Sequence, residues 1–443
     1  MKKNLTGFGL FSFTVSSYLA ALFVVVCACC VSCKGQNSRF EKINKDLHSK
    51  DVSVRSKAIS SLRELKPTVK EQELMLEEAA KPFPVSETSD KSIGALIIAS
   101  AAENPDIMLV DIIGKNFARY DATGKHEALT YLSKVDNIKS IRLFTDLFTE
   151  NAKEAYALPP GILEKNYRYK EIIFPRLLTI STQSHAYADV LLLLLSYLEA
   201  GELKPSSVQE QLPSIISYST ELRKKMNTRS GNKWDDPELY EIYNNAGIAA
   251  DLLGHFDTPA SKIELAEYLG QRDVKTKMFA AVSLLKLGQS ISNALALEIA
   301  ADAETRNWFY ESLKAMNKTS IYPAQFKTQA YFAEGDMVNW LTYPAELGRV
   351  PDAIELMKTV EVDLPRQKDK AVFYLFRFKS DNESFREDGW MAGVAGYYLQ
   401  SEMPTTTANG YTFSSFEKWD AKTPDQHVDE IRKLIDNANN GRN

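Results

Sequence analysis

The sequence predicts a mainly α chain: an array of stacked helical hairpins, an α-solenoid, followed by a small α+β domain with an antiparallel sheet. Three observations predict it. Apolar residues recur at three- and four-residue spacing across most of the chain, as in Ile59, Leu62 and Leu65, Ile107 to Phe117 and Val190 to Leu198. The breaks between these runs are short and carry turn chemistry, as at Glu103-Asn104-Pro105-Asp106, Asp121-Ala122-Thr123-Gly124 and Asp257-Thr258-Pro259. After Ile321-Tyr322-Pro323 the pattern gives way to aromatic-rich, strand-like runs. The expected organisation is a signal over 1–33, a polar tether over 34–50, the helical array over 51–321 and the α+β domain over 322–443.

The chain opens with the positive stretch Met1-Lys2-Lys3, and no charged residue occurs from Phe8 to Ser32. A positive start, an apolar middle and small residues at the end form a secretory pattern. The leading lysines favour the cytoplasmic side, so the remainder is expected to be exported. The end of this segment, Cys30-Val31-Ser32-Cys33 followed by polar Lys34 to Ser38, resembles a bacterial lipobox. In that family a peptidase cuts before a diacylglyceryl-modified cysteine. The resemblance implies lipidation at Cys33, with Cys29 (in Val26-Cys27-Ala28-Cys29) as the alternative. Cys30 stands where the lipobox usually has Leu, and the uncharged stretch is also long enough for an uncleaved anchor. Both readings expect the folded part outside the cytoplasm. Lys34 stands where enteric lipoproteins retained in the inner membrane carry Asp, which implies an outer-membrane anchor facing the periplasm.

All four cysteines lie in this segment, at 27, 29, 30 and 33. The remaining chain therefore has no disulfide, Cys-ligated zinc or thiol nucleophile to draw on. The formal net charge of −5 supplies no basic excess, which argues against nucleic acid as a partner.

Within the array, Asp51-Val52-Ser53-Val54-Arg55 through Ala58 and Leu62 resembles the second helix of a HEAT repeat. Asp51 would cap the helix, Val54, Ala58 and Leu62 would form one stripe, and the small Ala58 would let a neighbour approach. Further copies are read at Asp273-Val274-Lys275 to Leu287-Gly288 and at Asn245 to Leu253-Gly254, with Ser261 to Leu269 as the helix between them. The terminal glycines are expected as left-handed caps. Met226 to Asp236 is a polar loop that interrupts the array.

In the last domain, Gln329 to Ala333, Glu355 to Asp363, Ala371 to Phe378 and Trp390 to Leu399 read as strands, the second and third joined as a hairpin. Glycines in the last of them imply a bulge or a close backbone approach. Pro424 to Ala438 reads as an amphipathic helix capped by Thr423.

Reactive motifs are absent from the sequence: no phosphate loop, no nucleophile elbow and no zinc-protease signature occur. His48, His126, His185, His255 and His427 are dispersed. Asp235-Asp236-Pro237-Glu238 fits a helix cap better than a calcium loop. No catalytic residue, metal ligand or cofactor is expected. Trp340, Trp390 and Trp419, with Asp388 beside Gly389-Trp390, are the candidate binding residues, since rings on one face hold a sugar or a peptide. The alternative for these tryptophans is the core of the small sheet. The expected function is a membrane-tethered, non-catalytic scaffold that binds a protein or peptide. The alternative is a glycan-acting hydrolase needing paired carboxylates, for which Asp336, Glu387 and Asp388 are available. A substrate-binding lipoprotein of a transporter would need two α/β lobes, which the helical bulk opposes.

Overall fold

A computed structural model describes residues 38–86, 89–154, 157–159, 167–342, 347–363, 369–380, 389–401 and 413–440. The chain divides into two compact units, Met1–Ile173 and Phe174–Asn443. Cys29, Cys33 and Asp388 lie outside the described residues.

The first unit is a helical array: α1 (Arg39–Leu47), α2 (Val52–Arg63), α3 (Val69–Glu78), α4 (Ile93–Ala101), α5 (Val110–Asn116), α6 (Ala122–Lys134) and α7 (Ile138–Asn151). Helices α2, α4 and α6 pack in succession, as do α3, α5 and α7, and α1 with α2, α3 with α4 and α6 with α7 pack as consecutive pairs. This is how stacked hairpins bury one another's apolar faces. Asp51 caps α2 by accepting from the Ser53 amide, and Ala58 and Leu62 are buried, as the repeat reading expects. Helix α1 lies inside the stretch read as a tether. Phe40, Ile43 and Leu47 fall at helical spacing there and are buried, and a Ser38–Glu41 capping box closes the start.

The second unit continues with α8 (Ala186–Glu199), α9 (Leu212–Thr228), α10 (Pro237–Leu253), α11 (Pro259–Tyr268), α12 (Val274–Lys286), α13 (Asn293–Ala301), α14 (Arg306–Ala315) and α15 (Gln329–Thr342). Three hairpins are evident: α9 with α10, α11 with α12 and α13 with α14. The second helices α10, α12, α14 and then α15 pack in turn. Asp273 and Thr258 cap their helices, and Asp236 does so ahead of Pro237 at the first helical position.

The two Leu-Gly endings differ. Gly288 has φ +74 and is the expected left-handed cap. Gly254 has φ −63. A Cβ there would stand 2.6 Å from Ser283 Oγ and 2.8 Å from Ser283 Cβ, so this glycine serves the close approach of α10 to α12.

Four strands follow, β1 (Ala353–Asp363), β2 (Lys370–Lys379), β3 (Met391–Leu399) and β4 (Phe413–Lys418), in the order β1-β2-β3-β4 with antiparallel neighbours. Helix α16 (Pro424–Asn440) comes last, its start closed by Thr423 and Gln426. Val372, Tyr374, Phe376 and Phe378 pack with Ala333, Met337 and Leu341 of α15, while Phe373, Leu375, Ala392 and Val394 pack with Val428 and Ile431 of α16. The sheet is thus buried on both faces, which explains why β2 reads as a continuous apolar run. Gly393 marks the close approach expected of β3: a Cβ there would stand 2.1 Å from Met337 Cε and 2.9 Å from Phe378 Cε1.

Gln329 to Ala333, expected as a strand, is the first turn of α15. The residues buried along it, Phe332, Ala333, Met337, Val338 and Leu341, follow helical spacing. The aromatic composition of its first residues outweighed that period in the sequence reading.

Gly254→Ala is expected to destabilise the second unit by about 1–3 kcal/mol, because Ser283 cannot retreat in a packed helix crossing. Urea denaturation followed by circular dichroism measures it, and no loss would contradict the assigned close approach.

Candidate functional site

Charged groups and exposed aromatic rings come together at the N-terminal ends of α10, α12, α14 and α15. This patch is built from the polar loop that breaks the array. Lys233 of that loop is mostly buried, and its Nζ is 2.8 Å from Asp273 Oδ1 and 3.2 Å from Glu304 Oε2. Lys275 Nζ is 2.9 Å from the other oxygen of Glu304. Asp273 has a second task, because its Oδ2 accepts from the Thr276 amide at 2.8 Å and the Thr276 hydroxyl at 2.7 Å. Burial disfavours charge on both Lys233 and Asp273. Their mutual attraction, with Glu304 also acting on Lys233, outweighs it. Lys233 is held above its ordinary range and Asp273 below its own.

Rings surround these cations. Lys233 Nζ lies 5.2 Å from the Trp234 ring centroid and 5.9 Å from that of Tyr243. Lys275 Nζ lies 4.8 Å from Trp308, whose ring meets Phe279 edge-on at 6.3 Å. Arg306, itself buried, places its guanidinium 4.9 Å from the Tyr331 ring and pairs with Glu334 at 3.3 Å. Trp308 and Tyr331 remain 38% and 37% exposed. Large aromatic surface is thus left in solvent on a base fixed by buried ion pairs. Asp235 is 2.8 Å from Arg349, which adds a further tie to the loop.

A half-buried carboxyl lies beneath the sheet. Asp336 of α15 accepts from Asn307 Nδ2 at 2.6 Å and from the Tyr398 hydroxyl at 2.7 Å. Burial pushes its pKa from 3.8 up to about 6, against the lowering effect of those two hydrogen bonds. Among the described residues no second carboxylate is hydrogen-bonded to it.

The tryptophans singled out from the sequence do not share a face. Trp340 packs against the α15 side of the sheet, while Trp390 and Trp419 belong to the α16 side. Trp390 is half-buried, with the Arg377 guanidinium 4.4 Å from its ring centroid. Trp419 is buried, and its ring stacks on His427 at 4.9 Å and 14°. The Trp419 amide donates to the Trp390 carbonyl at 2.7 Å.

For a metal, the one group of three ligand-type residues found among the described residues is Glu417, His427 and Glu430, in the last strand and helix. A cleft of about 520 Å³ in the first unit is lined by Lys81, Phe83, Lys91, Ser92 and Arg119 among others. Lys81 and Lys91 are already paired there with Glu78 and Glu127.

Sequence reasoning missed Lys233, Glu304 and Trp308. Their partners stand some 30 to 70 residues away (Lys275 to Glu304 and Lys233 to Glu304), so no local spacing relates them. Asp273 was legible as a cap, and a lone Lys-Trp pair in an otherwise polar loop is the only local signal for the rest.

No family model, no curated protein and no solved structure matches the chain. No helix among the described residues is long and apolar enough to cross a membrane.

Two outcomes follow from this geometry. Lys233→Ala leaves Asp273 and part of Glu304 buried without a counter-charge and is expected to cost about 3–5 kcal/mol in denaturant unfolding. A loss within about 0.5 kcal/mol would mean the pair is effectively solvated. Asp336 binds its proton more tightly folded than unfolded, so its contribution to stability is largest below pH 3.8 and is lost as pH rises through about 6. Comparing wild type with Asp336→Asn, the stability difference should shift in the variant's favour by roughly 2 kcal/mol between about pH 4.5 and 7.5. A constant difference over that range would rule the shift out.

Proposed function

We propose that this chain is a membrane-tethered, extracytoplasmic bacterial lipoprotein that acts as a non-catalytic scaffold for a protein or peptide. The observation that carries the binding part is the patch at the N-terminal ends of α10, α12, α14 and α15. Trp308 and Tyr331 lie in solvent there while Lys233, Lys275 and Arg306 hold the base rigid. Rigid aromatic surface with polar tips is what protein interfaces use, because little side-chain freedom is lost on contact. Cations and carboxylates alternate beneath the rings, which favours a partner of mixed composition over a polyanion. Stacked hairpins supply a long framework for such a contact.

The tether part rests on the charge-free segment and Cys33. Acylation with more than one chain gives stable anchoring, and Lys34 implies the outer membrane with the folded part in the periplasm.

The test uses the native full-length protein in cells, with mild crosslinking, membrane fractionation and recovery of partners. The expected result is acylated protein in the membrane fraction, acylation lost in Cys33→Ala, and a partner whose yield falls at least about tenfold in the double variant Trp308→Ser, Tyr331→Ser. Recovery of the unprocessed chain from the cytosol would sink the placement. An unchanged partner yield in the double variant, with the fold intact by circular dichroism, would sink the surface.

A further inference from the structure

The C-terminal module carries a second constellation, independent of the aromatic patch. Glu417 stands near the end of β4, and His427 and Glu430 lie one turn apart on α16. One ligand atom from each lies within 4.8 Å of the others. The imidazole is 4% exposed and stacked on Trp419. Its Nε2 is 3.1 Å from the Trp419 carbonyl oxygen. An Nε2–H donating to that carbonyl leaves the lone pair on Nδ1, which makes no hydrogen bond to a described residue. Metal-ligating histidines are held in this way, one nitrogen fixed by a carbonyl and the other presented to the ion.

The two carboxylates already gather a cation. Lys422 Nζ is 2.5 Å from Glu417 Oε1 and also pairs with Glu430. One ammonium offsets only one of the two carboxylate charges, whereas a divalent ion taking its place would match both. We propose that Glu417, His427 and Glu430 bind a divalent transition cation, Zn²⁺ fitting best, and that Lys422 is a tethered cation which the ion displaces.

One imidazole with two carboxylates suits zinc better than calcium or magnesium, which take six or more ligands and prefer oxygen throughout. Zinc holds its ligands about 2.0–2.2 Å away, so the three donors must draw together by about 1 to 1.5 Å. Glu417 and Glu430 are partly exposed, and their side chains are long enough to make that move. Lys422 is partly exposed as well, so its stem can swing into water. Three protein ligands leave a fourth position to water.

The test is titration of untagged, chelator-treated full-length protein with Zn²⁺, followed by calorimetry and Trp fluorescence. The four cysteines, at 27, 29, 30 and 33, are alkylated beforehand so that they do not compete. One equivalent is expected to bind. Glu417→Gln and Glu430→Gln, whose side chains are not core, should each weaken binding by about tenfold or more, and His427→Gln likewise. Lys422→Met should tighten it by about tenfold, because the competing ammonium is gone. No binding by the wild type, equal affinity in the carboxamide variants, or no gain in Lys422→Met would each overturn the proposal.

Discussion

The ammonium group of Lys233 is the point on which the second unit's array depends. It sits among the N-terminal ends of α12 and α14 and neutralises Asp273 and Glu304, which burial would otherwise penalise. Because Asp273 simultaneously caps α12, one carboxylate joins helix termination to loop fixation. An exposed pair such as Lys139–Asp111 contributes little by comparison, since water and salt screen it.

Two-sided burial does comparable work in the C-terminal module. With α15 on one face of the sheet and α16 on the other, each β2 residue from Ala371 to Phe376 has an apolar neighbour. Asp336 is a half-buried acid in this arrangement, and Asn307 and Tyr398 donate to it. Its raised proton affinity is the electrostatic cost of placing an acid there.

Much of the fold was legible in the sequence. Helical spacing, the caps at Asp51, Asp236 and Asp273, and the hairpin of β1 and β2 are local properties, and local rules found them. Three elements escaped, the first being α1, which lies in the stretch read as a tether. The first turn of α15 carries Tyr331 and Phe332, whose strand-like composition competes with a helical period visible only when Met337 and Leu341 are included. Strand β4 is short, and no alternation marks Phe413 to Lys418; it exists by pairing with β3. The site was far less legible. The tryptophans proposed from composition belong to opposite faces of the sheet, since a strand and two helices decide which way each ring points. The patch that combines exposure with rigidity rests on Lys233, Glu304 and Lys275, whose proximity is a product of tertiary folding alone.

The loop over 229–236 has the composition of a segment that proteases cut: polar, with Gly231 at φ +129 and few apolar anchors. Yet Lys233 is buried between two carboxylates, Asp235 is held by Arg349, and Arg229 grips Glu238. An attacking enzyme needs a stretch of extended chain free to enter its cleft, and these clasps leave little. Resistance to cleavage depends on such concealment as much as on thermodynamic stability, and in this chain charged side chains provide it.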